Sequence, residues 1–307
     1  MRALHYNEFG GPGVMTVGEV PDPHIGPDTM LVKVVAAGIN PVDYKVREGY
    51  LAGLIDTIFP AVPGWDVAGV VVRPGLDTPE FAAGDEVLAY ARADVVHSGT
   101  LAELVAVPVR TATRKPAAVS FEDAAALPLT GLTALQSIRR SGLREGDTVL
   151  VHAAAGGVGA FATQLAVLAG ARVVGTAGPA NHEFLRSLGA EPVAYGEGLV
   201  AAARAVAPDG FDVVLDYVGG AALDVTPDLL RPGGAVVSIA DGRAASEFGG
   251  QYVWVRPDRD DLAELAGLVA DGRLRVHLSA VYDLEHAVDA YRALESGHTR
   301  GKIVVTP

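Results

Sequence analysis

Apolar positions follow two different rhythms along this chain. Up to about residue 115 they form short runs separated by glycine and proline: Leu31 to Ala37, Val67 to Val72, Glu86 to Tyr90 and Leu101 to Val107. Short runs rich in β-branched residues predict the strands of a β-rich, barrel-like domain. From Ser120 the period lengthens. Ser120-Phe121-Glu122-Asp123 offers a helix start, and Ala124 to Leu127 and Leu132 to Ile138 read as helices. Between Asp147 and about Ile239, apolar strands alternate with helical segments. Phe211 to Asp216 and Ala235 to Ile239 read as buried parallel strands, the second entered through the Pro232-Gly233-Gly234 turn. Asp260 to Ala270 is patterned as an amphipathic helix, and the tail from Arg275 through Gly301 to Val305 returns to strand–helix–strand, which we expect to rejoin the first domain.

One stretch joins pattern to chemistry. Asp147 to Val151 is an apolar strand that runs through His152 and Ala153 into Ala154-Ala155-Gly156-Gly157-Val158-Gly159, then into a helix from about Ala160 to Leu168, then into a second strand, Ala171 to Thr176. This is the βαβ frame in which a glycine turn brings backbone close to a pyrophosphate and a helix N-terminus holds the anion. The spacing is Ala154-x-Gly156-x-x-Gly159, with alanine standing at the first glycine and still small enough for a tight turn. Gly156 gives the phosphate its approach, and Gly159 lets helix and strand pack.

Composition narrows the alternatives. A chain of 307 residues suits two domains, and no repeat or low-complexity linker separates them, so we expect a shared cleft that holds a cofactor. There is no cysteine, which excludes disulfides, thiolate catalysis and cysteine-ligated metal. A formal net charge of −13 argues against nucleic acid or an anionic membrane as the main partner. No apolar run reaches the roughly 20 residues that a bilayer requires, and the N-terminus shows no signal-peptide core, so the expectation is a soluble, cytoplasmic protein. The eight histidines are scattered, with no H-E-x-x-H pair.

Four ordered segments carry a family resemblance: Ala37-Gly38-Ile39-Asn40-Pro41-Val42-Asp43-Tyr44-Lys45, Pro63-Gly64-Trp65-Asp66-Val67-Ala68-Gly69, Ala126-Leu127-Pro128-Leu129-Thr130-Gly131-Leu132-Thr133-Ala134, and the glycine turn itself. Together they resemble a zinc-free medium-chain dehydrogenase/reductase of the NADPH-dependent quinone oxidoreductase type, the group of zeta-crystallin-like proteins and polyketide enoyl reductase domains. The resemblance implies an α/β fold: a Rossmann-type doubly wound parallel sheet over residues 119–275, and a GroES-like β-rich domain over 1–118 and 276–307. It also implies a homodimer, for which Val236 to Ile239 or Tyr252 to Val255 would offer an edge strand.

Against the zinc-dependent branch, Asn40 stands where a cysteine ligand is usual, and Trp65-Asp66 replaces a His-Glu pair. Tryptophan cannot ligate zinc, so alcohol polarised by a metal becomes a poor substrate. Hydride transfer from NADPH to a quinone or an α,β-unsaturated carbonyl, which brings its own electrophilicity, remains feasible. Two alternatives stand beside this: a biosynthetic enoyl or enone reductase, and a noncatalytic NADPH-binding sensor or structural protein.

The end of the second strand reads Thr176-Ala177-Gly178-Pro179-Ala180-Asn181, with no acid to bind a ribose 2′-hydroxyl and room for a 2′-phosphate, which favours NADPH. Similar proteins place a lysine near Asn181 and a tyrosine near Tyr195; here Asn181, with His182 or Arg186, stands in for the lysine. By the resemblance, Thr130, Ala155, Gly156, Gly157 and Val158 would line the cofactor, together with Thr176, Gly178, Asn181, Tyr195, Val218, Ile239 and Lys302. Asn40, Asp43 and Tyr50 are the catalytic candidates. Tyr50 would be the proton donor or carbonyl-orienting hydroxyl, and Asn40 would touch substrate or nicotinamide, with a turn residue before Pro41 as its alternative. Asp43 and Lys45 could equally form a solvated ion pair, and Asp66 could be a relic that hydrogen-bonds backbone. Thr130 could equally be a helix cap. The loop Leu51 to Phe59 is apolar enough for an acceptor pocket or for core. No metal site is expected.

Overall fold

The computed structural model describes all of residues 1–307, and the chain divides into two compact units, residues 1–132 with 257–307, and residues 133–256. The segments 119–132 and 257–275 therefore pack with the first unit. No helix is long and apolar enough to cross a membrane.

The first unit is built on the strand Thr29–Gly38, whose near-continuous apolar run is buried on both faces. Such a strand belongs at the centre of a sheet. It pairs antiparallel with Asp66–Arg73, with Leu104–Pro108 and with Lys302–Thr306. Glu86–Tyr90 and Ala112–Arg114 extend the sheet on one side, and Leu278–Asp283 lies parallel to Lys302–Thr306 on the other. The tail thus returns as strand, helix Ala287–Glu295 and strand, as its pattern predicts. A second, four-stranded sheet holds Met15–Glu19, Arg2–Tyr6, Asp56–Val62 and Val95–Ser98.

The second unit carries a six-stranded sheet whose pairings are all parallel. Numbered within the unit, the spatial order is 3-2-1-4-5-6, the doubly wound arrangement in which the order reverses between the first and fourth strands, Thr148–Val151 and Phe211–Asp216. Leu150, Val174, Phe211, Val214, Leu223, Leu229 and Val236 form a continuous apolar core under the sheet. The α/β fold expected from the sequence is what the chain adopts. The edge-strand expectation needs a correction. Leu230–Ser238 is paired on both sides, so Val236 is interior, and only the two-residue strand Gln251–Tyr252 lies at that edge.

Candidate functional site

In the second unit, the candidate residues gather at the carboxyl end of the strand Thr148–Val151, the place where the sheet order reverses and ligands of such folds bind. The helix that follows runs from Gly157 to Leu168, with Gly156 as its extended N-cap and no side chain capping it. Its first N–H groups are therefore left for an external acceptor, and the aligned peptide dipoles favour an anion there. A Cβ on Gly159 would lie 2.2 Å from the Ala153 carbonyl oxygen and 2.7 Å from the Ala154 Cα, so glycine is what lets helix and strand meet. A Cβ on Gly156 would find only the Ala153 oxygen, at 3.3 Å.

The residue in the left-handed region is Ala153, at φ 51°, and not Ala154. Ala154 donates its N–H to the Thr176 carbonyl at 3.0 Å, and its methyl is admitted because Gly175 on the neighbouring strand has none: a Cβ on Gly175 would lie 2.8 Å from that of Ala154. The alanine at the usual glycine is thus matched by a glycine across the sheet.

Thr176 is buried, and its hydroxyl accepts the Ala153 N–H at 3.1 Å. Gly178 lies beside the Tyr195 hydroxyl, 3.7 Å from the place of its missing Cβ, and Tyr195 is 66% exposed. Neither cation offered for the phosphate is free. His182 Nε2 bonds the Ala177 carbonyl oxygen at 3.2 Å, and Arg186 is paired with Glu183 along the same short helix. At the end of the fourth strand, the buried Asp216 carboxylate accepts N–H bonds from Val218 (3.0 Å) and Gly219 (2.9 Å) and the Ser238 hydroxyl at 2.6 Å. It shapes the turn that carries Val218, while its carbonyl receives the Ile239 N–H. Sequence reading overlooked Asp216 and Ser238, although an acid at a strand end before Gly219-Gly220 was the signal.

In the first unit, Asn40, Asp43 and Lys302 come together, joined by Asp66 and Tyr291. Asn40 precedes the helix Pro41–Arg47, and the Asp43 carboxylate caps that helix by accepting the Asn40 N–H at 2.8 Å. The Tyr291 hydroxyl donates to the same carboxylate oxygen at 3.2 Å. Both ends of the Asn40 amide are engaged: Nδ2 donates to Asp66 Oδ2 at 2.8 Å, and Oδ1 accepts from Lys302 Nζ at 2.5 Å. The Lys302 ammonium also reaches the Ile39 carbonyl oxygen at 2.8 Å and Asp66 Oδ2 at 3.5 Å. Asp66 Oδ1 accepts the Leu129 N–H at 2.8 Å, so it does bond backbone as expected, within a larger network.

Burial dominates the electrostatics. It pushes the Asp43 carboxyl up to about 7, against the opposing pull of the Asn40 N–H, Lys302 and Tyr291. It raises Asp66 and lowers Lys302, each held back by the other's charge. The expected Asp43–Lys45 ion pair is not formed, because Asp43 points into this core while Lys45 is exposed. Lys302, offered from the sequence for the cofactor, stands with Asn40 and Asp43. Thr130 lies inside the helix Pro128–Ser141, where its hydroxyl donates to the Ala126 carbonyl oxygen at 2.9 Å, so it is not an N-cap. Tyr50 is 75% exposed on the loop after the Pro41–Arg47 helix. Its neighbours Leu54 and Ile58 are exposed as well, whereas Ile55 is buried.

These residues do not suit a metal ion. No cluster of three or more His, Cys, Asp or Glu side chains could hold one. At the positions that resemble zinc ligands, Trp65 is buried, and Asp66 spends its oxygens on Leu129, Asn40 and Lys302, whose own positive charge would repel a cation.

Comparison with known proteins agrees with this architecture. Residues 26–117 match the family described as alcohol dehydrogenase GroES-like domain, and residues 188–305 match the one described as zinc-binding dehydrogenase. The chain is 34% identical to the chloroplast envelope quinone oxidoreductase homolog of Arabidopsis thaliana, over all of this chain and 98% of that protein. It is 35% identical to the NADPH-dependent alkenal/one oxidoreductase of the same plant, over all of this chain and 80% of the relative. Among solved structures, the quinone oxidoreductase from Coxiella burnetii superposes with a TM-score of 0.91 at 35% identity, covering 100% of this chain and 99% of that one. With a 3-2-1-4-5-6 parallel sheet, a GroES-like unit and end-to-end similarity of this kind, the chain belongs to the medium-chain dehydrogenase/reductase family, in its quinone oxidoreductase-like group.

Proposed function

We propose that this protein is an NADPH-dependent reductase that passes hydride to quinones or α,β-unsaturated carbonyl compounds without a metal ion. The observation that carries the reading is a bare helix N-terminus at the sheet's reversal point, in a chain similar from end to end to a quinone oxidoreductase homolog and to an NADPH-dependent alkenal/one oxidoreductase. When bound, NADPH supplies the hydride. The helix that opens at Gly157 holds the pyrophosphate through its free N–H groups, and the absence of any acid between Thr176 and Asn181 leaves the 2′-phosphate unrepelled. Ala155, Gly157 and Val158 would line the pyrophosphate at that turn, Gly178, Asn181 and Tyr195 would hold the 2′-phosphate, and Val218 and Ile239 would contact the cofactor from the ends of the fourth and fifth strands.

In the first unit, Asn40, Asp43, Asp66 and Lys302 act as positioning residues. They satisfy one another, fix the start of the Pro41–Arg47 helix, and so set where the loop bearing Tyr50 begins. Tyr50, exposed and ready to donate, is the candidate proton donor to the oxyanion that forms as the acceptor is reduced. A quinone or enone delocalises that charge itself, so no Lewis acid is required. The same reading makes the protein a cytoplasmic homodimer, and light scattering on the purified protein would check the oligomeric state.

The test follows NADPH and NADH oxidation by absorbance against ortho- and para-quinones, 2-alkenals and cyclic enones, with chelator present. Chelator-insensitive turnover is expected, with the winning acceptor separating quinone from enone chemistry. NADPH binding without turnover on any acceptor would overturn the reductase reading. Tyr50→Phe is expected to slow turnover with NADPH binding unchanged; a wild-type rate on every active acceptor would remove the donor role.

A further inference from the structure

The first peptide of the glycine turn is held from a neighbouring strand. Ala153 sits at φ 51°, a conformation that disfavours a residue with a Cβ and persists only where its surroundings impose it. Its carbonyl accepts the Gly156 N–H at 3.0 Å and is the group against which Gly159 packs. Its N–H is taken by the Thr176 hydroxyl at 3.1 Å, and the Thr176 carbonyl takes the next N–H, that of Ala154, at 3.0 Å. The hydroxyl lies 3.4 Å from Nδ1 of His152, which is buried at the end of the first strand. Burial pulls that imidazole below its ordinary range, toward the neutral form, in which one ring nitrogen accepts. The Thr176 hydroxyl, its oxygen taken by the Ala153 N–H, has Nδ1 as the acceptor within reach, while the buried Nε2 has no partner. A hydroxyl that donates to a ring nitrogen presents its lone pairs to Ala153. None of these bonds leaves Thr176 facing outward, although its place in the sequence suggested a direct cofactor contact.

We propose that Thr176 and His152 are positioning residues of the dinucleotide cradle: the hydroxyl–imidazole pair pins the Ala153 N–H, keeps that residue left-handed, and so aims the N-terminus of the Gly157–Leu168 helix at the pyrophosphate. The proposal rests on the dinucleotide reading given above. It requires the clamp to act equally on every ligand that carries the pyrophosphate, whatever its 2′-substituent or nicotinamide.

The test measures equilibrium binding of NADPH, NADH and ADP-ribose to the full chain by calorimetry or fluorescence, together with KM and kcat. Thr176→Val keeps the shape and loses the hydroxyl. It is expected to weaken all three ligands by a common factor of about ten, the scale of one buried neutral hydrogen bond, raising KM for the cofactor with kcat little changed. Thr176→Ser should restore binding. Should the valine variant fail to fold, His152→Asn, which keeps an acceptor near Nδ1, should bind better than His152→Leu. Unchanged affinity in the valine and leucine variants would overturn the clamp. So would a loss confined to one ligand, which would mean that the hydroxyl touches the ribose directly. Wild-type protein that bound none of the three would overturn the dinucleotide reading and the clamp with it.

Discussion

The two candidate regions are built by opposite means. The turn at residues 153–159 works by leaving side chains out: helix N–H groups stay free, Gly159 and Gly175 lack the Cβ atoms that would collide, and the residues involved are almost contiguous in sequence. The cluster around Asn40 works by putting charge in. Two carboxyl groups and an ammonium, contributed by residues 43, 66 and 302, are buried together: Lys302 pairs with Asp66, and Asn40 and Tyr291 tie the group together by hydrogen bonds. A backbone cradle should therefore be sensitive above all to added bulk. A buried ionic cluster should be sensitive to the loss of any one member and to protonation.

The largest effect expected is on the ionic side. Lys302→Met strands Asp66 without its cation, and removing one partner of a buried pair costs about 3–5 kcal/mol. Urea denaturation should show that loss, and the double variant Lys302→Met/Asp66→Asn should recover part of it; a double variant no better than the single would mean that the pair is not electrostatically coupled. Next, in the cradle, Gly159→Ala forces a Cβ onto backbone atoms and should cost about 1–3 kcal/mol along with dinucleotide binding. Gly156→Asp brings its Cβ to 3.3 Å from one backbone oxygen, a contact relieved by a shift of a few tenths of an ångström, so it should lower the melting temperature far less than Gly159→Ala yet abolish NADPH binding by setting a carboxylate against the pyrophosphate. If both variants melted alike and bound alike, the division between packing glycine and phosphate glycine would be wrong.

The last contrast is the pH dependence. Burial raises Asp43 in the folded protein to about 7, whereas the unfolded chain titrates near 3.8, so between those values the native state holds the extra proton. The contribution of Asp43 to stability is therefore fully present below pH 4 and declines as pH rises to about 7. Asp43→Asn should remove that decline from the pH profile of denaturant midpoints, while Gly156→Asp should keep it. An identical slope in wild type and Asp43→Asn would assign the titration to another group.

The cradle was legible in the sequence because its parts are local: strand, turn and helix follow one another, and the glycines act at fixed offsets. What sequence reading could not supply there was the identity of the left-handed residue, since Ala153 is tolerated only through a bond from Thr176, and Ala154 only through Gly175 across the sheet. In the other region the sequence points to Asn40 and Asp43 as catalytic candidates and to Lys302 only as a cofactor contact, and it offers Asp43 a solvated partner in Lys45. Nothing in the spacing from Asn40 to Lys302 signals a contact. The central strand Thr29–Gly38 leads directly into Asn40 and pairs with strands that begin at Asp66 and Lys302, so three distant polar residues meet at one end of three adjacent strands.

By itself, then, the sequence determined the class of fold, the alternation of strands and helices, and the glycine turn between strand and helix, because periodicity and backbone conformation are local properties of a chain. Only the tertiary structure decided which polar side chains are neutralised together, which hydroxyls are spent inside and which, such as that of Tyr50, face outward. Burial and long-range pairing set the free energy of a charge or a hydrogen bond, and neither is fixed until the sheets have closed.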